Sequence, residues 1–311
     1  MGKSTAVNTT VKLSSGKALL FLDSDVKIRS DPDFLRKIIM ELQHFDILDI
    51  KKEVVKGKSF LSKMAYYEYF TYNVSAWLSS RYLHKCPAVN GAAFAIRRET
   101  FEKVGGFQKV IAEDIDLATR AFIGDSTFAY TTDVEVKNVV YSEWRKWLKQ
   151  RRRWAIGQAA WFVYWYQDLA RKFLKKPQVF LPGLFFLYPS VAVFFLSALV
   201  PSFWMYNSLL FFSIFLSVKF NIMLPIFLVS LATADLLKIL AISLSGFALT
   251  AAVFYGLSRK IGFREMKLHE LFVYYFFYST IWMVILIVGS FQVIVLRKKV
   301  APGWRTEPPA T

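Results

Sequence analysis

Cysteine is nearly missing from this chain, histidine is scarce, and acid falls well short of base. A single cysteine, Cys86, excludes an internal disulfide and any cysteine-built metal cage, and it suits a reducing compartment. The three histidines, His44, His84 and His269, stand at no ligand spacing, so no histidine metal site is expected. Met1–Lys17 is polar and lacks the apolar core of a secretory signal. No internal repeat is visible, which leaves a transporter, built from repeated membrane halves, as the outside reading. With 23 acids against 40 lysines and arginines, the formal net charge is +17. That excess alone would suit nucleic acid, but much of it flanks apolar segments, at Arg171–Lys176, Arg259–Lys267 and Arg297–Lys299. Juxtamembrane cations belong to an integral membrane protein with cytoplasmic loops, so a lipid bilayer is the expected partner and nucleic acid is not.

What is present divides the chain. A 55% hydrophobic share with 17% aromatics is too apolar for an ordinary soluble protein of 311 residues. The organising stretch is Tyr141–Trp161, YSEWRKWLKQRRRWAIGQAAW, in which Trp144, Trp147, Trp154 and Trp161 fall near one face at helical period. Indoles and cations together suit a membrane–water boundary. A solvated basic helix with a few buried tryptophans is the plainer alternative. After it, apolar spans are expected at roughly 179–203, 205–230, 235–257 and 270–296, each near the ~20 residues that cross a bilayer. Lys219, Asn221, Asp235 and Lys238 interrupt the middle region, and Pro201, Pro225 and Gly246 are expected to bend or end helices there. Four crossings place the C-terminus in the cytoplasm and three place it outside; four is preferred.

Before the tryptophan stretch the pattern is that of an α/β domain. Ala18–Leu22 reads as a buried parallel strand, ending in Asp23-Ser24-Asp25. Two aspartates one residue apart at a strand end suit a divalent cation, Mg²⁺ or Mn²⁺, that also meets a diphosphate. Taken alone, such a pair is as readily a polar turn. Asp31 caps a helix with Pro32 in its first turn, running to about His44. Ile47–Val55 reads as a strand, Lys58–Tyr82 as an aromatic helix, and Pro87–Arg98 as a loop into a strand. Asn90-Gly91 marks the turn at that entry, with close approach of a substrate to the backbone as a second role. Glu99–Val104 forms a short helix closed by Gly105-Gly106. Glu113, Asp114 and Asp116 open a helix, where the helix dipole favours acids without any chemistry. Thr127–Lys137 is the last strand or pair of strands.

In order, then, the chain carries Asp23-Ser24-Asp25 after an apolar strand, Glu113-Asp114 opening a helix, and Gln150-Arg151-Arg152-Arg153-Trp154 before the first apolar span. This series resembles the D×D, E-D and Q-x-x-R-W motifs of membrane-embedded family 2 glycosyltransferases, the group of cellulose, chitin, hyaluronan and poly-N-acetylglucosamine synthases. Gly2-Lys3 with Ala6 and Asn8 is similar to the helix motif that precedes the D×D strand. Arg97–Phe107 is similar to the family's R-R…G-G-F run, and Gly303-Trp304-Arg305-Thr306 resembles a tryptophan motif of some synthases.

The resemblance implies an α/β fold plus an α-helical membrane part: a partial GT-A domain over 1–140, amphipathic interfacial helices over 141–178, transmembrane helices over 179–300 and a flexible tail over 301–311. Only some twenty residues precede Asp23, whereas the family has about two further βα units there. The chain is therefore expected to lack the N-terminal part of the GT-A domain, or to receive it from another polypeptide, with an exposed sheet edge as the consequence. The implied partners are a nucleotide-diphosphate sugar and a saccharide or glycolipid acceptor; the implied place is the plasma membrane, with the catalytic part cytoplasmic. Asp114 is the expected general base, ionised at its ordinary pKa near ~4 and needing no upward tuning. Asp25, assisted by Asp23, is expected to hold the metal, and Lys3 and Arg153 to meet the donor diphosphate. Gln150, Trp154, Asn90, Gly91 and Glu113 are expected at the acceptor, while Arg151 and Arg152 touch lipid headgroups. Three functions compete on this reading: processive polysaccharide synthesis, transfer of one sugar to a lipid-linked acceptor, and an inactive or partner-dependent membrane subunit.

Overall fold

The computed structural model describes residues 2–175, 202–221 and 226–297. The expected span at 179–203, apart from its last two residues, falls outside them, as do Pro201, Pro225, the tail and Trp304. The chain forms two compact units, one of residues 1–183 with 258–311 and one of residues 184–257.

The first unit is built on a five-stranded mixed sheet. Helix α1 (Lys3–Leu13) leads into β1 (Ala18–Leu22) and the short β2 (Val26–Ile28). Then come α2 (Phe34–Glu41), β3 (Ile47–Val54), α3 (Phe60–Leu78, extended by a π turn to Leu83), β4 (Ala93–Arg97) and α4 (Arg98–Lys103). Helix α5 (Glu113–Ile123), β5 (Phe128–Asn138) and the 32-residue α6 (Trp144–Lys175) follow. The strand order is β1-β4-β3-β5-β2. Only β3 and β5 run parallel; the remaining pairs are antiparallel.

The side-chain period of two explains the layers. Along β4, Phe94 and Ile96 face one core with Val11, Phe101, Phe107 and Leu117, while Ala93 and Ala95 face a second core with Phe34, Ile38 and Leu42. Burying one such aromatic stabilises the fold by about 1.5–3 kcal/mol, so both faces are held. The expectation of a buried parallel strand at Ala18–Leu22 is corrected. β1 lies at the sheet edge, antiparallel to β4, and its Leu22 is exposed. An apolar run of five residues does not reveal edge or centre, because direction and neighbours come from strands far along the chain. The strand β2, which pairs with the end of β5, carried no signal of its own.

Two further devices fix local structure. Ser59 caps α3, accepting from the Ser62 N–H at 3.2 Å. After α4 the chain turns back through Gly105 and Gly106, both at positive φ (78° and 64°), where a side chain would be strained. A Cβ on Gly106 would also stand 3.0 Å from Asn8 Oδ1.

Among the apolar helices, α7 (Ser202–Phe220) belongs to the second unit and α8 (Ile226–Ile261) begins in it. The expected break between 230 and 235 does not occur. α8 continues past Asp235 and Lys238 and through Gly246, since each lies in an otherwise helix-forming run. In the first unit, α9 (Leu268–Val273) passes through a π turn (Tyr274–Tyr278) into α10 (Ser279–Ile294). Among the described residues two helices, Leu240–Ile261 and Leu268–Ile294, have the length and apolar composition to cross a membrane; Leu210–Phe220 is shorter.

Candidate active site

The acids that the sequence separates by ninety residues meet at the end of β1. The Asp23 N–H donates to the Ala92 carbonyl at 2.9 Å, prolonging the β1–β4 ladder by one bond. Ala92 in turn donates to Asn90 Oδ1 at 3.0 Å, and the Gly91 N–H donates to Asp114 Oδ2 at 2.7 Å. The loop Asn90–Ala92 therefore carries Asp23 on one side and Asp114 on the other. Lys3, from the first turn of α1, closes the group: its Nζ lies 2.8 Å from Asp23 Oδ1 and 3.0 Å from Glu113 Oε1.

Asp114 is held at both carboxylate oxygens. Its Oδ1 accepts from the Ile115 N–H at 2.8 Å, and Gly91 holds Oδ2, so neither oxygen swings freely. Burial, then the neighbouring Glu113 charge, pushes its carboxyl up to about 6, against the pull of the two N–H donors and Lys3. The expectation of an untuned aspartate is corrected. Gly91 is required by contact alone: a Cβ there would stand 2.6 Å from Asp114 Oδ2 and 2.9 Å from its Cβ. Asp25 is also raised, by burial and by the Asp23 charge, while Lys3 lowers it. Burial lowers Lys3 and its two acids raise it, the net direction being upward.

A cation at Asp23 and Asp25 is compatible with this arrangement. Two hard carboxylates one residue apart repel each other, and a lysine ammonium already sits against one of them. Among the described residues no group of three His, Cys, Asp or Glu converges as a metal cage. The protein thus offers two ligands, and the other positions would fall to diphosphate and water.

The α1–α5 geometry is secured from behind. Asn8 Nδ2 donates to the Phe107 carbonyl at 2.8 Å, and the Phe107 N–H donates to Asn8 Oδ1 at 3.0 Å. Arg120 of α5 donates to Asp116 and to the Val104 and Gly106 carbonyls. Asp116, expected only to greet the helix dipole, also accepts from Trp165 Nε1 at 3.1 Å.

Helix α6 does not present its tryptophans as one lipid-facing stripe. Trp161 Nε1 donates to Thr119 of α5 at 2.9 Å, Trp147 is buried, and exposed Trp144 stacks on Phe60 with centroids 5.7 Å apart. Trp154 lies half-buried against Arg151. Arg151 is buried in an ion pair with Glu68 rather than placed at headgroups, because α3 supplies a carboxylate there. Gln150 is half-buried and Arg153 exposed. Neither is joined to the acid group by a hydrogen bond or ion pair among the described residues. Besides the Trp161 and Trp165 bonds to α5, α6 approaches the acids at Gly157, whose Cβ would meet Ile111 Cγ2 at 2.8 Å and Ala112 Cβ at 3.6 Å. Ile111 and Ala112 lead directly into Glu113-Asp114, so Trp154 sits one turn from that crossing. Gly157, Glu68 and the Lys3–Glu113 contact were not foreseen. The small residues of AIGQAA are a signal of close helix packing that could have pointed to Gly157, but nothing local points to Glu68.

A group of acids at a strand end of an α/β sheet, one of them held at both oxygens and raised, has the groups to hold a cation and to take a proton. Residues 18–295 match the family described as "Glycosyl transferase family group 2", and the chain belongs to that family; it is a glycosyltransferase. It is 30% identical over 140 residues to "Probable glucomannan 4-beta-mannosyltransferase 3" of Arabidopsis thaliana, covering 43% of this chain and 25% of the relative. It is 27% identical over 324 residues to "Probable glycosyltransferase YdaM" of Bacillus subtilis, covering 98% of this chain and 70% of the relative. The chain thus spans a quarter or less of the first two plant relatives' length. A solved mannosyltransferase, PcManGT of Pyrobaculum calidifontis in complex with GDP-Man and Mn²⁺, is 18% identical with a TM-score of 0.47, over 96% of this chain and 68% of that one.

Proposed function

We propose that this glycosyltransferase moves a sugar from a nucleotide-diphosphate sugar to an acceptor hydroxyl at a membrane surface, inverting the anomeric carbon and extending a polysaccharide. The observation that carries the proposal is the Asn90–Ala92 loop, which brings Asp23 and a braced Asp114 to its two sides. In this reading Asp114 takes the acceptor proton while the acceptor oxygen bonds to the anomeric carbon. The bond from that carbon to the diphosphate breaks, and its electron pair leaves on the diphosphate. One base and one displacement give inversion. A divalent cation, when bound by Asp25 and Asp23, neutralises charge on the diphosphate oxygens. Lys3 adds a positive charge at the same place, and Glu113 keeps Asp114 basic enough to hold the proton it receives.

Gln150 and Trp154 serve the acceptor end, the indole offering an apolar face to a sugar ring, and exposed Arg153 remains free to meet diphosphate. The plant relatives' mannosyltransferase names make a mannose-bearing nucleotide the first donor to try. The test incubates membranes carrying the protein with a panel of radiolabelled nucleotide sugars, GDP-mannose first. Long labelled product from one donor supports the proposal, and a single-sugar lipid product would replace polysaccharide extension with lipid-linked transfer. Asp114→Asn should abolish transfer while donor binding survives; persistent transfer refutes the assignment of the base.

A further inference from the structure

Where α3, α6 and α10 meet lies a buried ion pair that sugar transfer, as described, does not use. Glu68 is 3% exposed and Arg151 2%. Arg151 Nη2 donates to Glu68 Oε2 at 2.6 Å and Nη1 donates to Oε1, a two-pronged fork. Tyr72 donates to Oε1 at 2.6 Å, Tyr278 donates to Oε2 at 2.8 Å, and Trp147 Nε1 donates to the Tyr278 hydroxyl at 3.1 Å. The guanidinium lies over three indoles, 4.5 Å from the Trp154 centroid, 5.0 Å from Trp282 and 5.3 Å from Trp147.

As glue this is a poor choice, since apolar residues of the same volume usually hold helices together as well or better. What a forked pair adds is orientation. Both carboxylate oxygens fix the guanidinium, and the guanidinium fixes the ring it covers. Of the three rings, Trp147 is buried while Trp154 and Trp282 are half-buried, so both keep surface for a ligand, and Trp154 is the one on the helix that packs against Ile111 and Ala112. Three residues further along α6, Gly157 touches the approach to Asp114. The next residue after Glu68 points the same way. The Tyr69 hydroxyl is pushed upward by burial first and by Glu68 second, Arg151 opposes, and Asp25 and Asp23 add smaller upward contributions. Tyr69 therefore feels both the pair and the aspartates at the end of β1.

We propose that Glu68 is a positioning residue for the acceptor: through the Arg151 fork it holds the Trp154 indole as a fixed platform on the helix that packs against the approach to Asp114. This rests on the assignment of Trp154 to the acceptor end. The test compares wild type, Glu68→Gln and Arg151→Lys as full-length protein, with GDP-mannose as donor and mannohexaose as acceptor. Loss of one charged hydrogen-bonded partner should raise the acceptor KM about tenfold or more. The donor KM, and nucleotide release to water without acceptor, should stay within twofold.

Should Glu68→Gln fail to fold, Arg151→Lys, which keeps the charge and loses the fork, carries the same expectation. Trp282→Phe, which loosens only one side of the stack, should give a smaller rise in the same KM. Calorimetric binding of mannohexaose reads the same ratio as Kd without turnover. An active wild type with an unmoved acceptor KM in the variants overturns the proposal alone. So does a parallel rise of both KM values, which is what a merely structural pair would give. A wild type that neither turns over any donor nor binds mannohexaose overturns both the proposal and the assignment beneath it.

Discussion

The sharpest test of the site is one methyl group. In Gly91→Ala the new Cβ would stand 2.6 Å from Asp114 Oδ2, 2.9 Å from its Cβ and 3.0 Å from its Cγ. Carbon atoms rest about 3.5–4.0 Å apart, so the overlap with the Asp114 Cβ is about 0.6–1 Å. Gly91 has no positive φ, so the substitution strains no backbone and acts through this contact alone. Relief requires Asp114 to move off the Gly91 N–H, losing a charged hydrogen bond worth about 1.5–3 kcal/mol. That loss raises the carboxyl by about 1–2 pKa units, because the bond favours the ionised form. A displacement near ~1 Å costs about 100-fold in rate. Nucleotide release followed from pH 5 to 9 should show both effects: kcat down about 100-fold, and an acid limb moved from about 6 in the wild type to about 7 or above. Gly256→Ala, whose Cβ meets nothing within 4 Å, serves as control and should change neither. Wild-type kcat with an unmoved acid limb in Gly91→Ala would sink the argument that Asp114 is braced there to act as base.

Three other outcomes are expected. Glu113→Gln removes a charge that raises Asp114 and should shift the acid limb of activity down, whereas Lys3→Met removes one that lowers it and should shift the limb up; limbs moving together refute the electrostatics. Because Asp114 titrates higher folded than unfolded, its contribution to stability is present below its ordinary pKa and lost as pH rises through about 6. Asp114→Asn should therefore melt higher than wild type at pH 8 and not at pH 4, read by Tm. Gly157→Val drives a side chain into Ile111 and should raise the acceptor KM, with a stability loss of about 1–3 kcal/mol typical of overpacking; an unchanged KM would separate α6 from the acceptor.

The sequence made the motifs legible because each is written within a few consecutive residues. An aspartate pair after an apolar run, acids opening a helix and a basic tryptophan stretch are local patterns with local physical causes. Helices α2 to α5 were placed within a few residues for the same reason. Two misjudgements were non-local. Reading β1 as a buried parallel strand failed because strand direction depends on β4, seventy residues on. Reading Arg151 as a headgroup contact failed because its partner Glu68 lies 83 residues earlier in an unremarkable aromatic helix.

By itself the sequence determined which groups are present: an aspartate pair after an apolar run, acids opening a helix, a cationic aromatic helix, and apolar helices long enough for a bilayer. Only the tertiary structure decided how those groups act on one another. It set the Asp114 carboxyl near 6, gave Gly91 the task of bracing it, and buried Arg151 among three indoles. The reason is physical. Which residue a side chain is follows from the chain alone, but its charge state and orientation depend on desolvation and on neighbours a few ångströms away, which chain order does not record.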